Sequence, residues 1–180
     1  MQKYPRLGFD QFIDISAFNK SQTAGPYVGD VALAEKVSEM LGVAPVQPKF
    51  IFVISMENHG PLHLEKIMPG EAEQLCSTAP PEGGGDLLVY LRHLRNADKM
   101  AGILRERLET LPRPSWLCWY GDHVPIMPNV YARMGEPDGR TDYLLWQKGG
   151  KVASQAPLNL RIESLGTHML QKIGLSALKS

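Results

Sequence analysis

The chain has 180 residues, of which 43% are hydrophobic and 21% charged, and its formal net charge is zero. This length suits one domain with a real hydrophobic core and is short for two. A balanced charge without Lys/Arg clusters gives no bulk attraction to nucleic acid or to an anionic membrane surface. No apolar stretch has the length of a signal-peptide core or a bilayer span, so we expect the chain itself to be soluble.

The first half of the chain predicts one helix, one strand and one long loop. Asp30 can cap a helix over 31–41, whose apolar residues share one face, with Gly42 as the stop. The run K-F-I-F-V-I-S (49–55) is rich in β-branched and aromatic residues, as in a strand buried on both faces. Residues 69–85, with P-P-E-G-G-G, are typical of a long polar loop.

The second half predicts two helices and two strands. The long helix begins at Asp86 and follows a leucine and alanine repeat until Pro112 and Pro114 end it. The run S-W-L-C-W-Y (115–120) predicts a second buried strand and D-Y-L-L-W-Q (142–147) a third. An amphipathic helix over 162–173 closes the chain, with Gly174 after it.

This alternation predicts an α/β fold with a largely parallel sheet covered by helices. In such sheets ligands bind where the strands end, at the carboxyl edge. Two polar segments follow predicted strands, N-H-G-P (58–61) and G-D-H (121–123). We therefore expect these two distant pieces of sequence to meet at one rim.

The side chains at these strand ends favour metal binding and contact with an anion. Asp122 offers a carboxylate oxygen and His123 an imidazole nitrogen, a pair suited to Mn²⁺ or Zn²⁺, although a stable site needs further ligands. His59 could donate a hydrogen bond to an oxyanion or transfer a proton. The structural alternative for each is a cap or a hydrogen-bonded loop residue.

Other candidate motifs point to ordinary packing. His59 and His63 have H-x-x-x-H spacing, but Gly60 and Pro61 between them argue against a zinc-binding helix. His93 and His168 lie on predicted helices without acidic or cysteine partners at ligand spacing, which indicates surface or packing positions. Cys76 and Cys118 do not predict a disulfide framework, and the chain has no P-loop, dinucleotide fingerprint or G-x-S-x-G elbow.

An ordered set of short segments resembles one known family. L-G-F-D-Q-F-I-D, F-I-F-V-I-S-M-E-N-H-G-P, Y-L-R-H-L-R-N-A-D-K-M-A-G-I-L, W-Y-G-D-H-V-P and D-Y-L-L-W follow one another along nearly the whole chain. Together they resemble the carboxy-terminal half of the sulfatase-like domain of lipoteichoic acid synthases, in the alkaline phosphatase superfamily. The resemblance implies an α/β domain with a partly parallel sheet flanked by helices.

The same resemblance implies roles for the rim residues. Asp122 and His123 would be ligands of a catalytic Mn²⁺ or another divalent ion such as Zn²⁺ or Mg²⁺, and His59 would contact the phosphate group being transferred. The implied reaction transfers a group from a phosphodiester donor to a glycan or polyol hydroxyl. V-P-I-M-P after G-D-H is similar to members that act in capsule or surface-polysaccharide synthesis, which implies a bacterial cell-envelope role.

The chain departs from the family pattern in one respect. Family members carry a Thr or Ser nucleophile and a further acidic ligand before the L-G-F-D-like segment, whereas this sequence begins there. We therefore expect 1–180 to be a single domain fragment without the nucleophile-bearing part, inactive alone, and to form a homodimer or to need a missing half. The membrane spans of many relatives would lie in that part. One alternative is a non-catalytic remnant or split domain that binds a glycan or a partner chain.

The nearest enzymatic alternative is a sulfatase. Such an enzyme needs a Cys or Ser in a C/S-x-P-x-R setting for maturation to formylglycine. Neither Cys76 nor Cys118 lies in such a setting.

Overall fold

The computed structural model describes residues 8–42, 47–150 and 158–175. In these ranges the helices are α1 (Asp30–Leu41), α2 (Glu71–Leu75), α3 (Gly85–Thr110), α4 (Pro128–Met134) and α5 (Ile162–Lys172). The strands are β1 (Thr23–Ala24), β2 (Tyr27–Val28), β3 (Trp116–Tyr120) and β4 (Tyr143–Gln147). Short 3-10 turns occupy Ile15–Ala17, Lys20–Gln22 and Leu62–Leu64. No helix in the described ranges is long and apolar enough to cross a membrane.

Helices α1 and α3 pack against each other and form the main core. Its buried members come from both helices and from the residue after α3: Ala34, Val37, Leu41, Met100, Leu104, Leu108 and Leu111. Helix α1 ends at Gly42, whose φ of 62° is a left-handed value that glycine adopts without a Cβ penalty. The predicted helices over 31–41 and from Asp86 are therefore confirmed, as is the one over 162–173, although Gly29 and not Asp30 is the N-cap of α1.

The buried face of α3 differs from the predicted one in its first half. The leucine repeat predicted Leu87, Leu91 and Leu94 on the core side, but Leu94 is 45% exposed. The buried stripe instead passes through Val89 and His93 and rejoins the predicted face at Ala97. A histidine therefore occupies a core position in the middle of the longest helix.

The two ladders of the described residues are both antiparallel. Strand β1 pairs with β2, and β3 pairs with β4 in a register that joins Trp116 to Gln147 and Tyr120 to Tyr143. The predicted strands 115–120 and 142–147 are thus confirmed, but the partly parallel sheet is not found in these residues. The reason is that β4 returns directly along β3, so that the intervening residues, including α4, do not form a parallel crossover.

The run 49–55 is not a strand, which corrects the prediction of a strand buried on both faces. It forms no ladder, and its side chains alternate in burial. Ile51 and Val53 pack against the α1–α3 core, while Phe50, Phe52 and Ile54 are 66%, 53% and 66% exposed. β-Propensity indicates that a residue suits a half-buried pleated surface. It does not predict that a neighbouring strand is present.

Part of the predicted loop 69–85 is helical. Helix α2 (Glu71–Leu75) begins after Gly70, whose φ is 75°. The buried carboxylate of Glu71 accepts a hydrogen bond from the backbone N–H of Met68 at 2.8 Å. The helix lies beside α3, where Arg92 pairs with Glu71 at 3.1 Å. A local hydrogen bond and a tertiary ion pair thus order a segment whose composition indicates a loop.

Candidate functional site

Two segments distant in sequence meet at what we call the rim, residues 57–61 together with 121–123. The rings of His59 and His123 lie edge to face, with centroids 5.9 Å apart and an interplanar angle of 84°. The rim predicted from the two strand ends therefore forms, although only the second segment follows a strand of a ladder.

Asp122 and His123 form a short exposed unit at the end of β3. The backbone N–H of His123 donates to Asp122 Oδ1 at 2.9 Å, and His123 Nε2 lies 3.8 Å from Asp122 Oδ2. His123 Nδ1 lies 2.9 Å from the carbonyl oxygen of Val124. If Nδ1 carries the proton for that hydrogen bond, Nε2 has a free lone pair on the side of the carboxylate.

Gly121 is the residue at which β3 turns toward this unit. Its backbone N–H donates to Asp142 O at 3.2 Å, and Thr141 Oγ1 donates to Gly121 O at 2.6 Å. A Cβ on Gly121 would lie 3.1 Å from Thr141 Cβ, closer than ordinary contacts. Glycine thus permits a close approach between the two strand ends.

The segment 57–61, which we call the His59 turn, is held by backbone and tyrosine contacts. The His59 N–H donates to Met56 O at 2.9 Å. Tyr27 Oη donates to Gly60 O at 3.0 Å and lies 3.5 Å from His59 Nδ1. Sequence reasoning missed Tyr27, since nothing in its local pattern distinguishes it from a packing aromatic residue.

The base of the His59 turn is anchored by a buried charged cluster. Glu57 is 1% exposed and His93 is also 1% exposed. His93 Nδ1 lies 2.8 Å from Glu57 Oε1, and His93 Nε2 lies 2.9 Å from Glu65 Oε1. Arg92 in turn donates to Glu65 at 3.1 Å and to Glu71. Of the two positions predicted for His93, surface or packing, the structure shows the packing one. Its acidic partners come from other parts of the chain.

The electrostatics favour a charged pair between Glu57 and His93. Burial alone would lower the pKa of His93, but hydrogen bonds to Glu57 and Glu65 and their charges raise it above its ordinary value. Burial alone would raise the pKa of Glu57, but hydrogen bonds from His93, the Asp30 N–H and Asn96 hold it below its ordinary value. An imidazolium can donate from both nitrogens, as these two carboxylates require.

Asp30 lies next to this pair and is fully buried. Desolvation, followed by the negative charge of Glu57, raises the pKa of Asp30 to about 7, while His93 acts in the opposite direction. Asn58 Nδ2 lies 3.5 Å from Asp30 Oδ2. Within the described residues neither Asp30 Oδ1 nor Asn58 Oδ1 has a hydrogen-bond partner. A protonated Asp30 avoids placing a second buried negative charge beside Glu57.

The described residues contain no complete set of metal ligands. Asp122 and His123 suit a divalent ion in donor type, but no group of three or more His, Cys, Asp or Glu side chains in residues 8–42, 47–150 and 158–175 could hold one. Within the described residues, no contact brings His63 or His168 to the rim. Cys76 and Cys118 are both free thiols.

Comparison with known proteins places the chain in one family. The model of the sulfatase family matches residues 1–170. The chain belongs to the sulfatase family, as an α/β domain that combines helices with small sheets.

Two proteins of Rhizobium meliloti (strain 1021) are similar to the chain. It is 35% identical over 143 residues to the capsular polysaccharide biosynthesis protein RkpI, which covers 78% of this chain and 24% of that protein. It is 22% identical over 138 residues to a protein named provisionally for cyclic beta-1,2-glucan modification, covering 77% and 21%. The matched part thus spans about a quarter or less of each relative. No solved structure matches the chain.

Proposed function

We propose that the chain contributes the rim to a divalent-metal phosphotransferase or phosphodiesterase site that acts in bacterial capsular or other cell-surface polysaccharide biosynthesis. Asp122 and His123 would be metal ligands, and His59 would contact the phosphoryl group. The observation that carries the proposal is the approach of the His59 and His123 rings to a centroid distance of 5.9 Å. A ligand on His123 would therefore lie within reach of His59.

The donor chemistry of the G-D-H segment fits a divalent ion such as Mn²⁺, Zn²⁺ or Mg²⁺. Asp122 Oδ2 and His123 Nε2 lie 3.8 Å apart, and a carboxylate oxygen and an imidazole nitrogen both bind Mn²⁺ and Zn²⁺. A bound ion would polarise a phosphoryl oxygen and lower the pKa of a nucleophilic hydroxyl. The further ligands would come from the nucleophile-bearing part of the family's domain, outside these 180 residues.

His59 would orient the group being transferred. Its Nδ1 lies 3.0 Å from Gly60 O, so that ring nitrogen is engaged with the backbone. A protonated ring would then direct its Nε2–H toward a phosphoryl oxygen, where positive charge offsets the negative charge that develops during transfer. Tyr27 keeps the Gly60 carbonyl in place through its hydrogen bond at 3.0 Å.

The relatives support the substrate class. One is named for capsular polysaccharide biosynthesis and the other, provisionally, for glucan modification. A transferase that uses a phosphodiester donor, such as a phospholipid headgroup, and a glycan or polyol acceptor is consistent with both names. No residue of this chain is assigned as the nucleophile, so we expect no turnover by the chain alone.

Calorimetric titration with Mn²⁺ tests the metal site directly. The chain should bind one ion, and both Asp122→Ala and His123→Ala should lose that binding. His63→Ala, which removes an exposed histidine outside the two rim segments, should retain it. Equal and weak binding by all four proteins would contradict a site formed by this segment alone. It would instead favour a non-catalytic or incomplete domain that binds a glycan or a partner chain.

A sulfatase is the second candidate because the matching family model carries that description. The two chemistries are separated by a preparation in which the nucleophile-bearing part is supplied. Hydrolysis of bis-p-nitrophenyl phosphate without hydrolysis of p-nitrophenyl sulfate supports the phosphodiester proposal, and the reverse preference supports a sulfatase. His59→Ala should lower phosphodiester turnover by about 100-fold, the scale of one lost oxyanion contact.

A further inference from the structure

The Glu57 carboxylate joins the rim to the helical core. Its Oε1 accepts hydrogen bonds from His93 Nδ1 at 2.8 Å and from Asn96 Nδ2 at 2.6 Å, both on α3. Its Oε2 accepts the backbone N–H of Asp30 at 2.6 Å. Three donors from two helices thus meet on one buried side chain, which lies two residues before His59.

The bond to Asp30 replaces a missing helix cap. Helix α1 begins after Gly29, which has no side chain to receive the free N–H groups of the first turn. Glu57 supplies a carboxylate at that position, where an anion is favoured by the helix dipole. The same helix start follows β2, the strand that carries Tyr27. Glu57 therefore fixes both the turn that bears His59 and the strand whose tyrosine contacts that turn.

We propose that Glu57 and His93 are positioning residues of the rim, in which the buried pair between α3 and the His59 turn fixes the place of the His59 ring against His123. The inference rests on the proposed function, since it assigns roles at the same site. Neither residue is a catalytic residue, because both side chains are buried and no described hydrogen bond or ring contact joins either of them to His59 or His123.

Glutamine cannot replace Glu57 without loss. All three groups that contact its carboxylate are donors, so the NH₂ group of a glutamine would face at least one of them. Glu65→Gln is the matched control. It removes the other carboxylate partner of the same histidine, at 2.9 Å from Nε2, while the hydrogen bonds of Glu57 remain. A purely structural role predicts similar consequences for the two variants.

The experiment measures the rim by NMR without metal. In the unmodified chain we expect a nuclear Overhauser effect between the ring protons of His59 and His123, and slow exchange of the His59 N–H, which donates to Met56 O. Glu57→Gln should abolish the ring contact in the folded chain and speed that exchange at least tenfold. Glu65→Gln should leave both unchanged, even where it lowers the stability of the whole chain.

Asn96→Ala is a milder variant, in case Glu57→Gln does not fold. It removes only the 2.6 Å hydrogen bond to Glu57 Oε1 and should speed His59 N–H exchange in the same direction. Unchanged exchange in Asn96→Ala, or equal effects of Glu57→Gln and Glu65→Gln on the rim, would overturn the proposal.

The metal titration keeps this inference separate from the proposed function. Mn²⁺ affinity should change less than threefold in Glu57→Gln, because Asp122 and His123 belong to the other segment. If the chain binds no Mn²⁺ but the NMR result holds, a metal site formed by the G-D-H segment alone is refuted while the positioning of His59 stands. If Mn²⁺ binds and the ring contact survives in Glu57→Gln, the positioning role alone is refuted.

Discussion

Replacing Asp30 with asparagine should change how the stability of the chain depends on pH. Burial and the neighbouring Glu57 raise the pKa of Asp30 from 3.8 to about 7. The folded chain therefore holds a proton at Asp30 that the unfolded chain releases above pH 3.8. The free energy of unfolding contributed by this group is full below that pH and falls as the pH rises toward about 7.

The magnitude follows from the difference between the two pKa values. At about 1.4 kcal/mol per pKa unit, the rise from 3.8 to about 7 corresponds to about 4 kcal/mol of lost stability. Asparagine resembles the protonated acid and does not titrate. The variant should match the unmodified chain near pH 4 and be more stable than it by up to about 4 kcal/mol at pH 8.

The assay is urea unfolding, followed by tryptophan fluorescence, at several pH values from 4 to 9. The groups around Asp30 also titrate. Stability from the lowered pKa of Glu57 is lost as pH falls, and stability from the raised pKa of His93 is lost as pH rises. Both remain in the variant, so the difference between the two proteins reports Asp30 together with its coupling to Glu57 and His93. Asp98→Asn, which removes an exposed carboxylate, controls for the change in net charge.

A difference between Asp30→Asn and the unmodified chain that stays constant from pH 4 to pH 8 would refute the reasoning. It would mean that Asp30 is ionised in the folded state at both pH values. The burial of an uncompensated carboxylate beside Glu57 would then need another explanation.

Three further predictions concern the core, a turn and the rim. Met100 lies in the α1–α3 core with its side chain 2% exposed, so Met100→Ala should lower the free energy of unfolding in urea by about 2 to 5 kcal/mol. A decrease of less than about 1 kcal/mol would contradict tight packing there. Gly25→Ala should destabilise the chain more than Gly139→Ala. Both glycines have positive φ, but of the two only Gly25 would place its new Cβ against a side chain, at 2.6 Å from Glu65 Oε1. Equal melting temperatures of the two variants would exclude that clash. Tyr27→Phe removes the hydrogen bond to Gly60 O and should lower the free energy of unfolding by about 1 kcal/mol. It should also weaken the nuclear Overhauser effect between the His59 and His123 rings. An effect of unchanged intensity would contradict a role of Tyr27 at the rim.

Local periodicity predicted the three longer helices, α1, α3 and α5, and the paired strands β3 and β4, because the information lies within each segment. The apolar repeat placed a helix over 31–41, where the structure has Asp30–Leu41, and the run before Gly121 predicted the strand observed at Trp116–Tyr120. The order of the motifs also indicated the sulfatase family, which the family comparison confirms. The roles of Asp122, His123 and His59 stay predictions.

Only the tertiary structure decided the burial and the partners of the apolar run 49–55 and of His93 in α3. A run of strand-forming residues does not show whether another strand lies beside it to form a sheet. Here Phe50, Phe52 and Ile54 remain largely exposed. His93 has no acidic partner at helical spacing, yet Glu57 reaches it from 36 positions away in sequence. Charge pairing across such separations depends on how α1, α3 and the His59 turn pack together, because burial sets the cost of each charge and the fold supplies its partner.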